Sequence, residues 1–268
     1  MTSTTSALTR QVLLLLGTLF LGASAASAAE PATVRPLTDV EKTAMTGVTW
    51  RPGCPVGLDA LVVVDVHHHG VDGATHQGAL VVHQDIGAHV ARVFDHLYAQ
   101  GFVVEQVHPI RQFAGDDDKS MAANNTSAFN CRKKVGLDAY STHSFGRAVD
   151  VNPLWNPYVR TKNGKQKVLP PAGKAFVERT DDVGRIRYPS DVTRIFSLFG
   201  FQWGGRWRSV KDYQHFEWRK RNPATAAGRR TLLDDAERQW RGEQRQKRHR
   251  KRRKQRAARR APSSTSAP

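Results

Sequence analysis

Two short segments carry residues whose types and spacing suit metal chemistry. The segment STHSFGRAVDV places His143 and Asp150 seven residues apart, so one stretch offers an imidazole and a carboxylate. The segment KDYQHFEW adds Asp212 and His215, three residues apart, and an extended or turning backbone can bring both near one point. A zinc hydrolase needs a few such donors and one open position for water. A structural His–Asp pair with an unrelated histidine is the alternative on these residues alone.

The four side chains divide naturally into ligands and a base. His143, Asp150 and His215 would hold the ion, which lowers the pKa of bound water to roughly 7. Asp212 would stay free beside it, take a proton from the attacking water and pass it to the leaving amine. The ion and a nearby cation would stabilise the oxyanion. A surface acid paired with Lys211 is the alternative for Asp212.

The same segments resemble the zinc D-alanyl-D-alanine carboxypeptidases, a family that includes VanY-like carboxypeptidases, D-Ala-D-Ala dipeptidases and L-alanyl-D-glutamate endopeptidases. The first fits the pattern S-x-H-x-x-G-x-A-x-D, and the second, preceded by WGGRW, fits an acid two residues before the last zinc histidine. The resemblance spans roughly residues 100–218. It implies that His143, Asp150 and His215 bind zinc and that Asp212, as in the endopeptidase-like branch, is the general base.

Further site residues follow from the resemblance or from residue type. Family members carry an arginine upstream of the first motif that contacts the substrate, and Arg111 lies where it is expected, with Ile110 replacing the usual tyrosine. A surface charge is the alternative for Arg111. Ser141 would line the pocket, as its family counterpart does. Trp203 and Trp207 are candidates for the wall of a substrate groove, although such residues also form cores.

The two ends of the chain differ from its middle. Residues 1–29 have one charge before a ten-residue apolar run and then small residues, which predicts a secretory signal; an uncleaved membrane anchor is the alternative. Residues 30–44 are predicted to be a linker and 45–222 the folded domain. Residues 223–268 are predicted to be a basic, largely disordered tail: residues 241–260 hold twelve Lys or Arg and one acid, a net +11 of the total +17.

Both cysteines lie in the predicted domain. An exported chain with two cysteines favours a disulfide between Cys54 and Cys131, with two unpaired buried thiols as the alternative. Such a bridge would stabilise the domain by roughly 4 kcal/mol in the chain-entropy model. It would also tie a long polar stretch, residues 115–132, to the start of the domain.

The pattern of elements favours an α+β fold, with a small antiparallel sheet flanked by helices. Apolar spacing predicts a helix after Asp85 that ends at Gly101, and a short helix capped by Ser190. The histidines 67–69 are interpreted as a solvated loop, because neighbouring side chains do not converge on one ion. Strands are predicted at 61–66, 79–83, 102–107 and 147–152, and residues 115–132 show no clear period.

These observations together predict a secreted, monomeric zinc peptidase that acts on peptidoglycan peptides. The basic tail would bind anionic wall polymers, or simply remain a solvated end, and no nucleic-acid partner is expected. The competing class is a secreted polyanion-binding protein with a non-catalytic peptidase-like domain. Carboxypeptidases and endopeptidases of the family share their metal motifs, so the sequence leaves the cleaved bond open.

Overall fold

The structure, a computed structural model, describes residues 30–134, 137–219 and 226–260. The predicted signal at 1–29 lies outside the described residues. The fold is α+β, as predicted, with several small, mostly antiparallel sheets and helices packed against them. No helix among the residues described is long and apolar enough to cross a membrane.

The first sheet is antiparallel and consists of β1 (Thr33–Pro36), β2 (Leu61–His69) and β3 (Thr75–His83) in the order β1-β2-β3. Helix α2 (Gln84–Ala99) packs on it through the predicted apolar stripe. The cap differs from the prediction: His83 is the N-cap, and its Nδ1 accepts a hydrogen bond from the backbone N of Asp85.

The predicted linker at 30–44 is instead part of this sheet. It contains β1 and then helix α1 (Asp39–Met45), where Thr38 and Glu41 form a reciprocal capping box. Arg35 bridges Glu41 and Asp65, which joins α1 to β2. This segment has no alternating apolar pattern, because a short edge strand with one paired side leaves most of its side chains exposed.

The three consecutive histidines lie in a strand rather than in a loop. They form the end of β2, where His68 pairs with His76 of β3 and is buried. Its Nδ1 lies 2.7 Å from the carbonyl oxygen of Val104. Histidine is accommodated in this strand because its ring can stack: His69 lies parallel to Tyr98 with ring centroids 4.2 Å apart.

The polar stretch 115–132 is largely ordered. It contains α3 (Asp117–Ala122), which Asp116 caps, and β5 (Asn125–Thr126), which pairs in parallel with β4 (Gln106–Val107). β4 is much shorter than the predicted strand at 102–107. Buried asparagines take the place of an apolar period: Asn125, for example, bonds to both the N and the O of His108. Side-chain amides can satisfy backbone groups in this way without regular pairing.

Two small sheets form the part of the fold that carries the chemical motifs. β6 (Ala148–Asp150), β11 (His215–Trp218) and β9 (Phe201–Trp203) form one in the order β6-β11-β9. β10 (Lys211–Asp212), β7 (Tyr158–Lys162) and β8 (Lys165–Leu169) form the other, in the order β10-β7-β8. The predicted helix α4 (Asp191–Leu198) is capped by Ser190 and packs on the first of these sheets. Its Phe196 ring stacks on that of Phe216, with the ring centroids 3.6 Å apart.

Residues 226–260, within the segment predicted to be a largely disordered tail, form one helix, α5 (Ala226–Arg260). Its first half joins the core, where Ala236 and Trp240 are buried. Ion pairs of Glu237 with His96 and of Glu243 with Arg194 fix it to α2 and α4. From Arg248 to Arg256 every side chain is exposed, and none of these nine residues forms an ion pair with another described residue.

Candidate active site

A cleft of about 890 Å³ opens where the two motif-bearing sheets meet. The turn before β6, the hairpin of β7 and β8, strands β10 and β11, and α3 all contribute to its lining. Four of the predicted site residues, His143, Asp150, Asp212 and His215, line this one cleft. The structure therefore brings together side chains that are up to 72 residues apart in the chain.

Local backbone geometry places the three candidate ligands. In the antiparallel pairing of β6 with β11, Asp150 lies directly opposite His215, which sets their side chains on one face. His143 comes from the 3-10 turn Thr142–Phe145, which Ser141 caps. The turn ends at Gly146, whose φ is +62° and where an added Cβ would lie 2.6 Å from the backbone N of His83. This position requires glycine, which explains the glycine of the first motif.

The three ligand groups face one another at short distances. His143 Nε2 lies 3.2 Å from an Asp150 carboxylate oxygen and 3.2 Å from His215 Nδ1. His215 Nδ1 lies 2.9 Å from the other Asp150 oxygen. The ligand atoms of these three residues all lie within 4.8 Å of one another, so they could hold one metal ion.

The nitrogen of each histidine that points away from the cluster faces an oxygen atom. His143 Nδ1 lies 2.5 Å from the Ala128 carbonyl, so Nδ1 donates and the lone pair of Nε2 points into the site. His215 Nε2 faces Glu217 at 3.8 Å. Glu217 in turn accepts from Thr142 and from Arg219. Such outer contacts fix the tautomer of metal-binding histidines and raise their basicity.

Buried charges of opposite sign shift the pKa values of these groups. Burial alone would raise the pKa of Asp150, but His143 and His215 outweigh it and hold that pKa well below its usual range. Burial would lower the pKa of His215, yet its hydrogen bond to Asp150 and the nearby carboxylate of Glu217 raise it to about 10. Asp150 therefore stays ionised at neutral pH, the state in which a carboxylate binds a metal ion.

Asp212 lies beside this cluster, and its pKa is shifted in the direction opposite to that of Asp150. Burial raises the pKa of Asp212 to about 6, and the proximity of His215 only partly opposes the rise. Its Oδ1 is buried and has no hydrogen-bond partner among the described residues. Gly204 allows this position, because an added Cβ would lie 2.9 Å from the Cβ of Asp212. Three inward-facing lone-pair donors with an unpartnered carboxylate beside them are a donor set that fits a divalent ion such as zinc.

Arg111, the arginine predicted to contact the substrate, lies outside the cleft, whereas Arg132, Arg160 and Arg219 line it. Arg111 lies in the 3-10 turn Ile110–Phe113 and is not among the cleft-lining residues. Arg132 lines the cleft and pairs with Asp117. Burial lowers the pKa of Arg132, while the charges of Asp150 and Asp212 act to raise it, so its guanidinium lies within electrostatic range of both.

The remaining predicted residues divide between cleft and core. Ser141 and Trp207 line the cleft, and the Trp207 ring centroid lies 5.3 Å from that of His215. Trp203 is buried in the core, and its Nε1 donates to the carbonyl of Tyr213. Cys54 and Cys131 form the predicted disulfide. Since Cys131 precedes Arg132, the bridge also fixes one side of the cleft.

Two site residues were absent from the sequence-based prediction. Glu217 carries an available signal, since it stands two residues after His215 in a strand and hence on the same face. Arg132 lies in a polar stretch without a period, and only the disulfide that precedes it indicates a fixed position.

Comparison with known proteins agrees with this geometry. Residues 136–218 match the model of a peptidase family that is described as D-alanyl-D-alanine carboxypeptidase. This segment, which carries all four candidate site residues, is therefore similar to that family. Comparisons with curated proteins and with solved structures gave no match.

Proposed function

We propose that the protein is a secreted, zinc-dependent peptidase that hydrolyses amide bonds in peptidoglycan stem peptides. The observation that carries this proposal is the convergence of His143, Asp150 and His215 with Asp212 in one cleft. The family match supports the peptidase class and the choice of peptide substrate.

His143, Asp150 and His215 would hold the zinc ion. When bound there, zinc would act as a Lewis acid that polarises the scissile carbonyl and lowers the pKa of the attacking water to roughly 7. Ala128 and Glu217 keep the two imidazoles in the required orientation.

Asp212 would act as the general base and then as the general acid. Asp212 is half-buried, and its Oδ1 is buried and unpartnered within the described part of the chain. A pKa of about 6 suits a group that must both accept and return a proton near neutral pH. It takes a proton from the attacking water and delivers it to the leaving amine.

Arg132 would bind the substrate's carbonyl or carboxylate oxygen, the role predicted for Arg111 from the sequence. A guanidinium offers two parallel N–H donors to such a group. Its pairing with Asp117, which also lines the cleft, would orient the guanidinium.

Metal analysis combined with release of D-Ala from a D-Ala-D-Ala peptide tests the proposal. We expect one zinc per chain and turnover, with both lost in His143→Ala and in His215→Ala. A polyanion-binding protein with a non-catalytic domain would hold zinc without turnover, or no zinc at all. Product masses from a peptidoglycan digest would identify the cleaved bond and so distinguish a carboxypeptidase from an endopeptidase.

We also propose that the chain is exported and held at the wall by the exposed half of α5. The pattern of residues 1–29 supports export, and the absence of acids between Arg245 and Arg256 supports binding to anionic polymers. The test is sedimentation with walls at low and high salt for a chain that stops after Lys247. Trp240 stays in place in this variant, because an earlier stop would remove a core residue.

A further inference from the structure

The β7–β8 hairpin forms a cationic wall of the cleft. Its two-residue turn, Asn163-Gly164, has positive φ at both positions, which fixes the register of the strands. In that register Arg160 lies opposite Lys167, and Lys162 lies opposite Lys165. The hairpin contains no acid.

These like-charged pairs are unfavourable for the hairpin itself. Residues directly opposite on antiparallel strands share a face with closely spaced Cβ atoms, and like charges there are destabilising. Arg160, Lys162 and Lys167 line the cleft. None of them forms an ion pair with another residue that the structure describes, whereas Arg132 and Arg219 of the same cleft pair with Asp117 and Glu217. The repulsion on this face is thus left without an internal partner.

The hairpin is rigidly joined to the candidate base. β10 pairs with β7 so that Asp212 lies opposite Tyr158. Arg160 is two residues further along β7, and Lys162 four, which corresponds to about 7 Å and about 14 Å along the strand. An extended peptide advances by a similar length per residue, so a substrate that follows the hairpin presents its second residue from the reacting bond to Arg160 and Lys167.

We infer that the Arg160–Lys167 face of the hairpin is a specificity site for a substrate carboxylate about two residues away from the scissile bond. This inference rests on the proposed function. It narrows the substrate class to peptides that carry a further carboxylate, in addition to any group that Arg132 binds. An anion at this place neutralises the cross-strand repulsion and gains two charge-assisted contacts.

The test uses two labelled peptides that differ in one group. One is fluorescein-labelled Gly-L-Glu-D-Ala-D-Ala, in which the Glu carboxylate belongs to the second residue from the D-Ala-D-Ala bond, and the other carries that carboxylate as the amide. Binding is measured by anisotropy on the full chain, and hydrolysis of the same pair is measured separately. The variants are Arg160→Gln/Lys167→Gln, Lys167→Gln, and Lys174→Gln as the matched control, an exposed lysine outside the cleft lining.

We expect the wild type to bind the carboxylate peptide roughly five- to tenfold more tightly than the amide at low salt. The preference should fall as salt rises, disappear in the double variant, and persist in Lys174→Gln. Equal affinity of the wild type for both peptides, or equal weakening of both in the double variant, would overturn the inference. Retained binding preference without hydrolysis would refute the proposed function alone, whereas hydrolysis without preference would refute the hairpin's role alone.

Discussion

The Cys54–Cys131 bridge allows a quantitative test of how the cleft is held. The change is Cys54→Ser/Cys131→Ser, which removes the covalent link and keeps residues of similar size. The bridge closes a loop with a sequence separation of 77 residues. In the chain-entropy model a loop of that length restricts the unfolded chain by about 4.5 kcal/mol at 25 °C.

Removing the disulfide should change kcat/KM less than it changes the free energy of unfolding. The backbone N of Cys131 also donates to the carbonyl of Thr49 at 2.9 Å, and Arg51 donates to the carbonyl of Cys131 at 3.3 Å. These contacts still position the adjacent Arg132 while the chain is folded. We therefore expect the free energy of unfolding to fall by about 4 kcal/mol, while kcat/KM at low temperature changes by less than about tenfold, that is by less than about 1.4 kcal/mol.

Urea unfolding followed by tryptophan fluorescence measures the first quantity, and D-Ala release at low temperature measures the second. Wild type reduced with a phosphine is the control and should unfold like the double variant. A loss of stability below about 1 kcal/mol would refute the loop-closure reasoning, because the chain-entropy relation gives more than that even for short disulfide loops. A collapse of activity in the folded variant would show that the bridge alone positions Arg132.

Three further predictions concern single residues. Asp212→Asn should keep one zinc per chain by metal analysis and lose about 10²- to 10⁴-fold in kcat; a near-normal rate would remove Asp212 from the role of base. Arg132→Ala should lower kcat/KM roughly tenfold to a hundredfold in steady-state assays, whereas Arg111→Ala should leave it within about twofold because that residue is outside the cleft lining; similar losses in both would contradict the assignment. Trp240→Ala should lower the free energy of unfolding by about 3 kcal/mol in urea, and an unchanged midpoint would show that α5 is not docked.

Local signals in the sequence were sufficient for the elements that carry strong patterns. The cap at Ser190 and the apolar spacing after it predicted α4, and the two motifs predicted which four side chains share the cleft. Motifs succeed here because each places its residues within one turn or one strand, so a few backbone angles determine the geometry.

Other features depend on partners that are distant in the chain. Helical spacing is present in Leu233, Ala236 and Trp240, but the many charged residues around them favoured the prediction of a disordered tail. Contact with α2 and α4 makes this face of α5 part of the core. Arg132 differs from any surface arginine only because a disulfide and Asp117 turn it into the cleft. The composition of such a segment predicts only its average burial, whereas tertiary contacts determine whether an individual residue is buried or faces the cleft.

The pairing of Asp150 with His215 across β6 and β11 limits which sequence changes this site can tolerate. Side chains alternate between the two faces of a strand, so an insertion or deletion of one residue within either strand would send one ligand to the opposite face. A one-residue shift in register between β6 and β11 would therefore separate Asp150 from His215. A change of length outside the two paired strands leaves their register unchanged, whereas β6 and β11 can change only together.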